Sequence, residues 1–246
     1  MDHLIYTAMS GASAAAQRQS VLANNLANAS TQGFRAELST FRAVPLRGDG
    51  ASTRVFALEA TSGHDTKPGA IQRTGRELDM APQGDSWFAV QGLDGTEAYT
   101  RAGAFQISTE GTLVTSTGLM VLSDGGAPID VPPGATLSVG NDGTVSAKTG
   151  DAPSSTVGRI KLAKATPEDR LQRSEDGLFR TASQDPLPSD ATARLDTGAL
   201  EGSNVNPVET MVGMIAAARQ FEQQMRLLQS AEASDKSAAQ LLSLQG

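Results

Sequence analysis

The chain has 246 residues, enough for one large domain or two modest ones with a real core. Aromatic residues make up only 4%, so any core is built from Ala, Leu, Val and Met, and part of the chain is expected to be elongated rather than globular. A net charge of −7 with no arginine- or lysine-rich run argues against nucleic acid or anionic membrane as a main partner, and the absence of cysteine removes disulfides, thiolate metal sites and a cysteine nucleophile.

No stretch approaches the roughly 20 apolar residues of a membrane-spanning helix. The first residues do not read as a cleaved signal peptide, although "ASA" at 12–14 imitates a cleavage site. Asp2 stands where a basic region belongs, and Thr7, Ser10 and Gly11 interrupt any apolar run. Residues 3–29 instead predict a helix about 40 Å long. Ile5, Ala8, Ala12, Ala15, Gln19, Leu22, Leu26 and Ala29 form its stripe, and most of these are small enough for a neighbouring backbone to approach. The helix closes on "LANNLANASTQGF", residues 22–34, where Asn24, Asn25 and Asn28 are poor interior helix residues. Gly33 is a left-handed stop just beyond it.

Residues 35–66 are polar, with scattered Phe41, Val44, Leu46, Val55, Phe56 and Leu58, and read as an extended hairpin or as a loop ordered by its neighbours. From Asp85 to Ala163 the period drops toward 2, with Gly and Asp-Gly punctuation. "SWFAVQG", "EAYTRAGAFQIS", "GTLVTSTGLMVLS", "ATLSVGNDGTVSA" and "VGRIKLA" read as short strands of a sandwich- or barrel-like all-β domain. Residues 166–200 read as a short helical or irregular piece and a connector. Residues 204–244 predict a second helix of roughly 55–60 Å, opened by Asn206 as N-cap, Pro207 and Glu209. Its stripe steps through Met211, Met214, Ala218, Phe221, Met225 and Leu228, breaks at Glu232 and Asp235, and resumes at Ala239 and Leu242. The expected fold class is α+β. Terminal helices (1–33 and 201–246) pair as a coiled coil, followed and preceded by an extended arm (34–66) and a central β domain with connector (67–200). Each seam needs a partner to be stable.

The residues point to no catalytic site, no metal site and no cofactor. There are two histidines, His3 in the first helical turn and His64 in "SGHDTKPG", and the latter reads as a solvated turn. "VGNDGTVS" at 139–146 lacks both an acidic calcium ladder and a phosphate-loop lysine, so it reads as a hairpin turn. Glu77 and Asp79 in "GRELDM" would suit acid–base work on glycans only if a cleft held both; a solvated strand edge is the simpler reading. Trp87-Phe88 reads as β core. The methionines fit either an adaptable binding surface or ordinary helix-seam core.

Two segments together are more specific. In "LANNLANASTQGF", Ala23, Asn24, Asn25, Leu26, Ala27, Asn28, Thr31, Gly33 and Phe34 match the N-terminal signature of the bacterial flagellar axial proteins, the rod, hook and hook-associated family. "LEGSNVNPVETMVGMIAAARQFEQQMRLLQ" resembles the C-terminal signature at Gly202, Ser203, Asn204, Val205 and Asn206, then at Arg219, Phe221 and Glu222. "AYTRAGAFQISTEGTLVTSTG" is similar to the opening strands of the central domain in the larger rod and hook proteins. "MDHLIYTAMSGASAA" and the chain length look most like a proximal-rod member, with a distal-rod member as the alternative.

The resemblance implies a structural subunit rather than an enzyme. Its partners would be copies of itself, other rod proteins and the flagellar type III export apparatus, with no nucleic acid and no direct membrane insertion. It would sit in the periplasmic rod of the basal body, exported unprocessed. The terminal helices would line a helical tube around the export channel and gain helix as neighbours cover their seams. The implied assembly interface comprises Leu22, Asn24, Asn25, Leu26, Asn28, Gly33 and Phe34 at one end. At the other it comprises Asn204, Met211, Met214, Ala218, Phe221, Met225 and Leu228. Asn24 and Asn25 lie too far inside the helix to be caps, and are expected to bond neighbouring subunits. Other classes remain: a soluble coiled-coil adaptor that closes as a dimer, or a peptidoglycan-active enzyme built on Glu77 and Asp79.

Overall fold

A computed structural model describes residues 2–45, 55–166 and 168–243. They form two compact units. One comprises Met1–Ala29, Glu37–Gly63 and Val205–Gly246, the other Ser30–Ala36 and His64–Asn204.

The first unit is built on helix α1, Asp2–Ala27, and helix α2, Pro207–Ser243, which pack against each other. The α1 stripe follows the expected period: Ala8, Ala12 and Ala15 are buried, with Ile5, Gln19, Leu22 and Leu26 half-buried. Small residues let the two helices approach closely. A Cβ on Gly213 would stand 3.2 Å from Leu22 Cδ1, and one on Gly11 would stand 3.0 Å from the side-chain amide carbon of Gln224. Asn206 opens α2 as expected: its Oδ1 accepts from the Val208 N–H at 3.1 Å and the Glu209 N–H at 3.3 Å. Two strands, β1 (Glu37–Pro45) and β2 (Val55–His64), pair as a two-stranded sheet within residues 35–66. Leu46 lies outside the described residues. So do the side chains of His3, Val55, Phe56, Leu58, Asp235, Ala239 and Leu242.

The second unit holds the remaining strands. They begin β3 Ile71–Arg73, β4 Met80–Pro82, β5 Ser86–Gln91, β6 Glu97–Thr100, β7 Phe105–Ile107 and β8 Leu113–Thr115. They continue β9 Ala135–Val139, β10 Thr144–Thr149, β11 Ser155–Arg159 and β12 Leu162–Lys164. The last are β13 Leu171–Arg173, β14 Phe179–Thr181, β15 Leu195–Thr197 and β16 Ala199–Glu201. A five-stranded sheet runs β12-β5-β6-β14-β13 and a three-stranded sheet β11-β10-β9, with pairs β15-β4, β16-β3 and β7-β8.

Strand β5 explains the two-sided core. Successive side chains point to opposite faces. Phe88 joins one apolar cluster with Met80, Phe105, Leu113, Val121, Leu162 and Leu195, while Trp87 and Ala89 join another with Tyr99, Phe179 and Leu187. Both faces are covered, which is why "WFAV" carries no polar alternation.

Residues 166–200, expected to be a short helical or irregular piece and a connector, instead carry strands β13 and β14, with β15 and β16 beyond them. Asp176-Gly177 supplies a tight turn, with Gly177 at φ +81°, and the Ser174 N–H donates to the Leu178 carbonyl at 2.8 Å. Leu171, Phe179, Leu187 and Leu195 are then each buried, so the segment is tied down by apolar residues roughly one strand-and-turn apart.

Packing is tight enough at one glycine to be decisive. A Cβ on Gly103 would fall 1.6 Å from the Met80 carbonyl oxygen, whereas one on Gly118, at φ +87°, would meet nothing within 4 Å. We expect Gly103→Ala to destabilise the second unit by about 3 kcal/mol or more, and Gly118→Ala by only about 1–2. Urea denaturation followed by Trp87 fluorescence, the one tryptophan, measures both.

Candidate assembly surface

The asparagine cluster is built at the end of α1. Asn25 is buried, and its amide grips one residue of the arm from both sides. Oδ1 accepts from the Glu37 N–H at 2.8 Å and Nδ2 donates to the Glu37 carbonyl at 2.9 Å. Asn24 is exposed and donates to Glu37 Oε2 at 3.1 Å. Asn28 Nδ2 donates to the Asn24 carbonyl at 2.9 Å and to Asn24 Oδ1 at 3.1 Å. The hydrogen bonds expected between subunits are therefore, for Asn25, made inside the chain: its side chain acts as a peptide group that starts β1.

The helix pair turns a different α2 face inward than the methionine stripe implied. Thr210 and Ala217 are buried, with Gly213, Met214, Ala218, Gln224 and Leu228 half-buried. Met211 is 51% exposed, and Phe221 and Met225 are 36% and 38% exposed. Close approach selects Gly213 and Ala217, because the larger methionine side chains would hold the helices apart. Leu22 and Leu26 lie on the α1 stripe, with Leu22 packed beside Gly213.

Gly33, Phe34 and Asn204 lie in the second unit, outside its core clusters, in a stem of backbone crossings joined by polar contacts. Gly33 sits at φ +66°, a Cβ there would fall 2.4 Å from the Ala102 nitrogen, and its N–H donates to the Glu201 carbonyl at 2.8 Å. Phe34 is buried with the Arg173 guanidinium 4.0 Å from its ring centroid. Asn204 Oδ1 accepts from the Ala36 N–H at 2.6 Å, and Nδ2 donates to the carbonyls of Asp65 at 3.2 Å and Lys67 at 2.9 Å. All three were expected at a subunit interface; each is committed to this stem.

Glu201 was missed by sequence reasoning. It is 1% exposed, with Arg35 Nη2 at 2.9 Å on one oxygen and Arg101 Nη2 at 2.5 Å on the other. Burial lowers the pKa of Arg35 from its ordinary value, Glu201 opposes that, and neighbouring Arg101 adds to it. No local pattern marked it: Arg35 follows directly on the N-terminal signature, Arg101 lies in the central one and Glu201 in the C-terminal one, among other charged residues. His64 also departs from the solvated-turn reading. It is half-buried, its ring 4.8 Å from Phe179 and 6.1 Å from Trp87. Burial lowers its pKa, nearby Arg35 and Arg173 push the same way, and Asp65 opposes.

The glycan-acid reading does not survive. Glu77 is exposed, while Asp79 is buried and taken up by Arg76 at 2.8 Å and the Thr74 hydroxyl at 2.7 Å. Glu77 lines a cavity with Arg73, Ser138 and Thr197, and Asp79 is not among the residues lining it. Among the described residues no group of His, Asp and Glu has the arrangement to hold a metal ion, and no helix is long and apolar enough to cross a membrane.

Three family models match. Residues 5–35 match flagella basal body rod protein, 81–147 the flagellar hook protein FlgE/F/G D1 domain, and 196–241 the C-terminal region of flagellar basal body rod FlgEFG protein. The flagellar basal-body rod protein FlgF of Salmonella typhimurium is 47% identical, covering 99% of this chain and 100% of its own length. FlgF of Caulobacter vibrioides is 32% identical over 98% of each chain. FlgG of Bacillus subtilis, also named a basal-body rod protein, is 33% identical over 93% of this chain and 94% of its own.

Two outcomes follow from this geometry. Asn25→Ala removes both bonds to Glu37, each worth about 1 kcal/mol, so the Glu37 amide should exchange with solvent roughly 10- to 30-fold faster while the Trp87 unfolding midpoint stays put. Burial and the neighbouring arginines disfavour protonation of His64 in the folded chain, so the unfolded chain takes up that proton more readily. Stability is full above the ordinary imidazole value of 6.5 and falls as pH drops below it. The urea midpoint of the second unit should therefore decline between pH 7.5 and 5.5, and His64→Gln should flatten that decline.

Proposed function

The chain belongs to the flagellar basal-body rod protein family, and from that premise we propose how it serves as a structural subunit of the rod. The subunit polymerises through its terminal helices, which pair in coiled-coil fashion, into a helical tube that surrounds the export channel and transmits torque. Its partners are copies of itself and other rod proteins. It reaches the periplasmic rod unprocessed through the flagellar type III export apparatus, and occupies the proximal part; a distal position is not favoured by its relatives.

One observation carries this reading: the first turns of α2 are apolar on both sides. Thr210, Gly213 and Ala217 face α1's side of the seam. Val208, Met211, Val212 and Ile215 fall within an arc of about 100° on the other side, and are 70%, 51%, 62% and 55% exposed. A helix apolar all round is a buried helix, and a single chain buries only half of this one. Tyr6 and Met9 on α1, each 54% exposed, add to the uncovered surface. Contacts of this kind must be heterologous and non-closing to build a tube rather than a dimer. Asn24, near the end of α1, is also exposed.

Val212→Asp with Ile215→Asp tests it. The side chains are exposed, so the purified subunit should keep its circular dichroism and its Trp87 unfolding midpoint. Cells carrying only this variant should lose swimming and yield basal bodies without complete rods. Normal swimming would refute the assembly role of this face.

A further inference from the structure

We infer that Glu201 and Asn204 form a polar latch that opens and closes as its own cooperative unit, apart from the apolar core of the second unit. The latch joins three stretches distant in sequence: residues 33–36, 64–69 and 199–204. Through these the chain enters and leaves the β strands on its way to the terminal helices and the arm.

The two regions are held by different forces. The buried members of the three apolar clusters all lie between Met80 and Leu195; the latch stretches touch them at His64, whose ring stands 4.8 Å from Phe179, and otherwise bury only Phe34, Ala199 and Leu200 among their apolar residues. The latch is instead a dense polar network. Glu201 Oε1 accepts from Arg35 and from the Gly69 N–H at 2.9 Å, and Oε2 accepts from Arg101 Nε at 2.7 Å. Asn204 adds its three side-chain bonds and donates its own N–H to the Phe34 carbonyl at 3.2 Å. The Asp65 N–H donates to the Ala36 carbonyl, and the Gly202 N–H to the Ala70 carbonyl, both at 2.8 Å.

Glu201 makes the closure all-or-none. Without it, Arg101 keeps the carbonyls of Pro82, Gly84 and Ser86, but Arg35 keeps only that of Lys67. Removing the shared carboxylate leaves two guanidiniums, each about 2% exposed, repelling each other, with only the weaker influence of Asp65 on Arg35 to offset it. That state is costly, so residues 199–204 cannot lift away while the other two stretches stay in place. Arg35 Nε is buried without a hydrogen-bond partner, so the network is not tuned for maximal stability. Its product is a specific arrangement of three chain crossings.

Hydrogen exchange of the full chain reads this directly. The latch amides are those of Gly33, Ala36, Asp65, Gly69, Gly202 and Asn204; the reference amides, in the core, are those of Ala89, Phe105, Leu113 and Val121. In Glu201→Gln the latch amides should all accelerate roughly 100-fold together, while the core amides change by less than about 3-fold. Asn204→Ala keeps every charge and should accelerate the same latch amides roughly tenfold. It decides the matter alone if Glu201→Gln fails to fold. Equal acceleration of latch and core would overturn the proposal, as would acceleration of only the amides bonded to the substituted residue.

Discussion

One buried carboxylate, shared by two buried guanidiniums, is the constraint on which the rest of the second unit's perimeter depends. Arg35 and Arg101 stand far apart in sequence and neither can be left in a low-dielectric site without an anion. Glu201, at the end of β16, is that anion for both. Its position obliges the chain to bring three separate crossings to one place, and Gly33 and Gly69 are the residues that let them come so close. A Cβ on Gly69 would fall 2.0 Å from the Gly202 carbonyl oxygen, so the approach of these two backbones leaves no room for a side chain. Charge fixes the identity of the partners, and the absence of side chains fixes their distance.

The helical unit is governed by size rather than charge. Ala8, Ala12 and Ala15 on α1, with Gly213 and Ala217 on α2, let the helices pack closely and decide which faces meet. The bulky apolar residues of α2 are thereby displaced outward. A longer, more polar seam position, Gln224, fits only because Gly11 stands opposite. The consequence is a pair that is complete on its small-residue side and unfinished on its large-residue side. That asymmetry suits a subunit that finishes its burial on neighbours.

Much of this was legible in the sequence, for reasons that can be named. Helix α1 and the start of α2 were readable because period and capping act over a few residues; Asn206 needed only its own neighbours to be recognised. The strands from Ser86 to Lys164 were readable because turn glycines punctuate them. The β15 and β16 strands were not, because they are three residues long and pair with β4 and β3, more than 100 positions away. The α2 seam follows the hydrophobic stripe only in part: Met214, Ala218 and Leu228 are half-buried, but Met211, Phe221 and Met225 stay exposed while Thr210, Gly213 and Ala217 turn inward, because close approach selects small volume as well as hydrophobicity. Glu201 was invisible for a stricter reason: its partners are 166 and 100 positions away, and no local pattern encodes such a triad.

The asparagines show what a signature of this kind encodes. Asparagine is unhelpful for helix propensity, yet Asn25 must both donate to and accept from the backbone of Glu37. An aspartate at neutral pH cannot donate, and a glutamine is a methylene too long for the same bidentate reach. Asn204 faces the same demand, accepting from Ala36 while donating to Asp65 and Lys67. Ala36 and Glu37 are consecutive, and they flank one of the four places at which the chain passes from one unit to the other. Each unit thus ends its hold on the chain with an asparagine amide imitating a peptide group. The motif at residues 22–34 and the one at 200–206 are chemically one device, used twice, on either side of a single peptide bond.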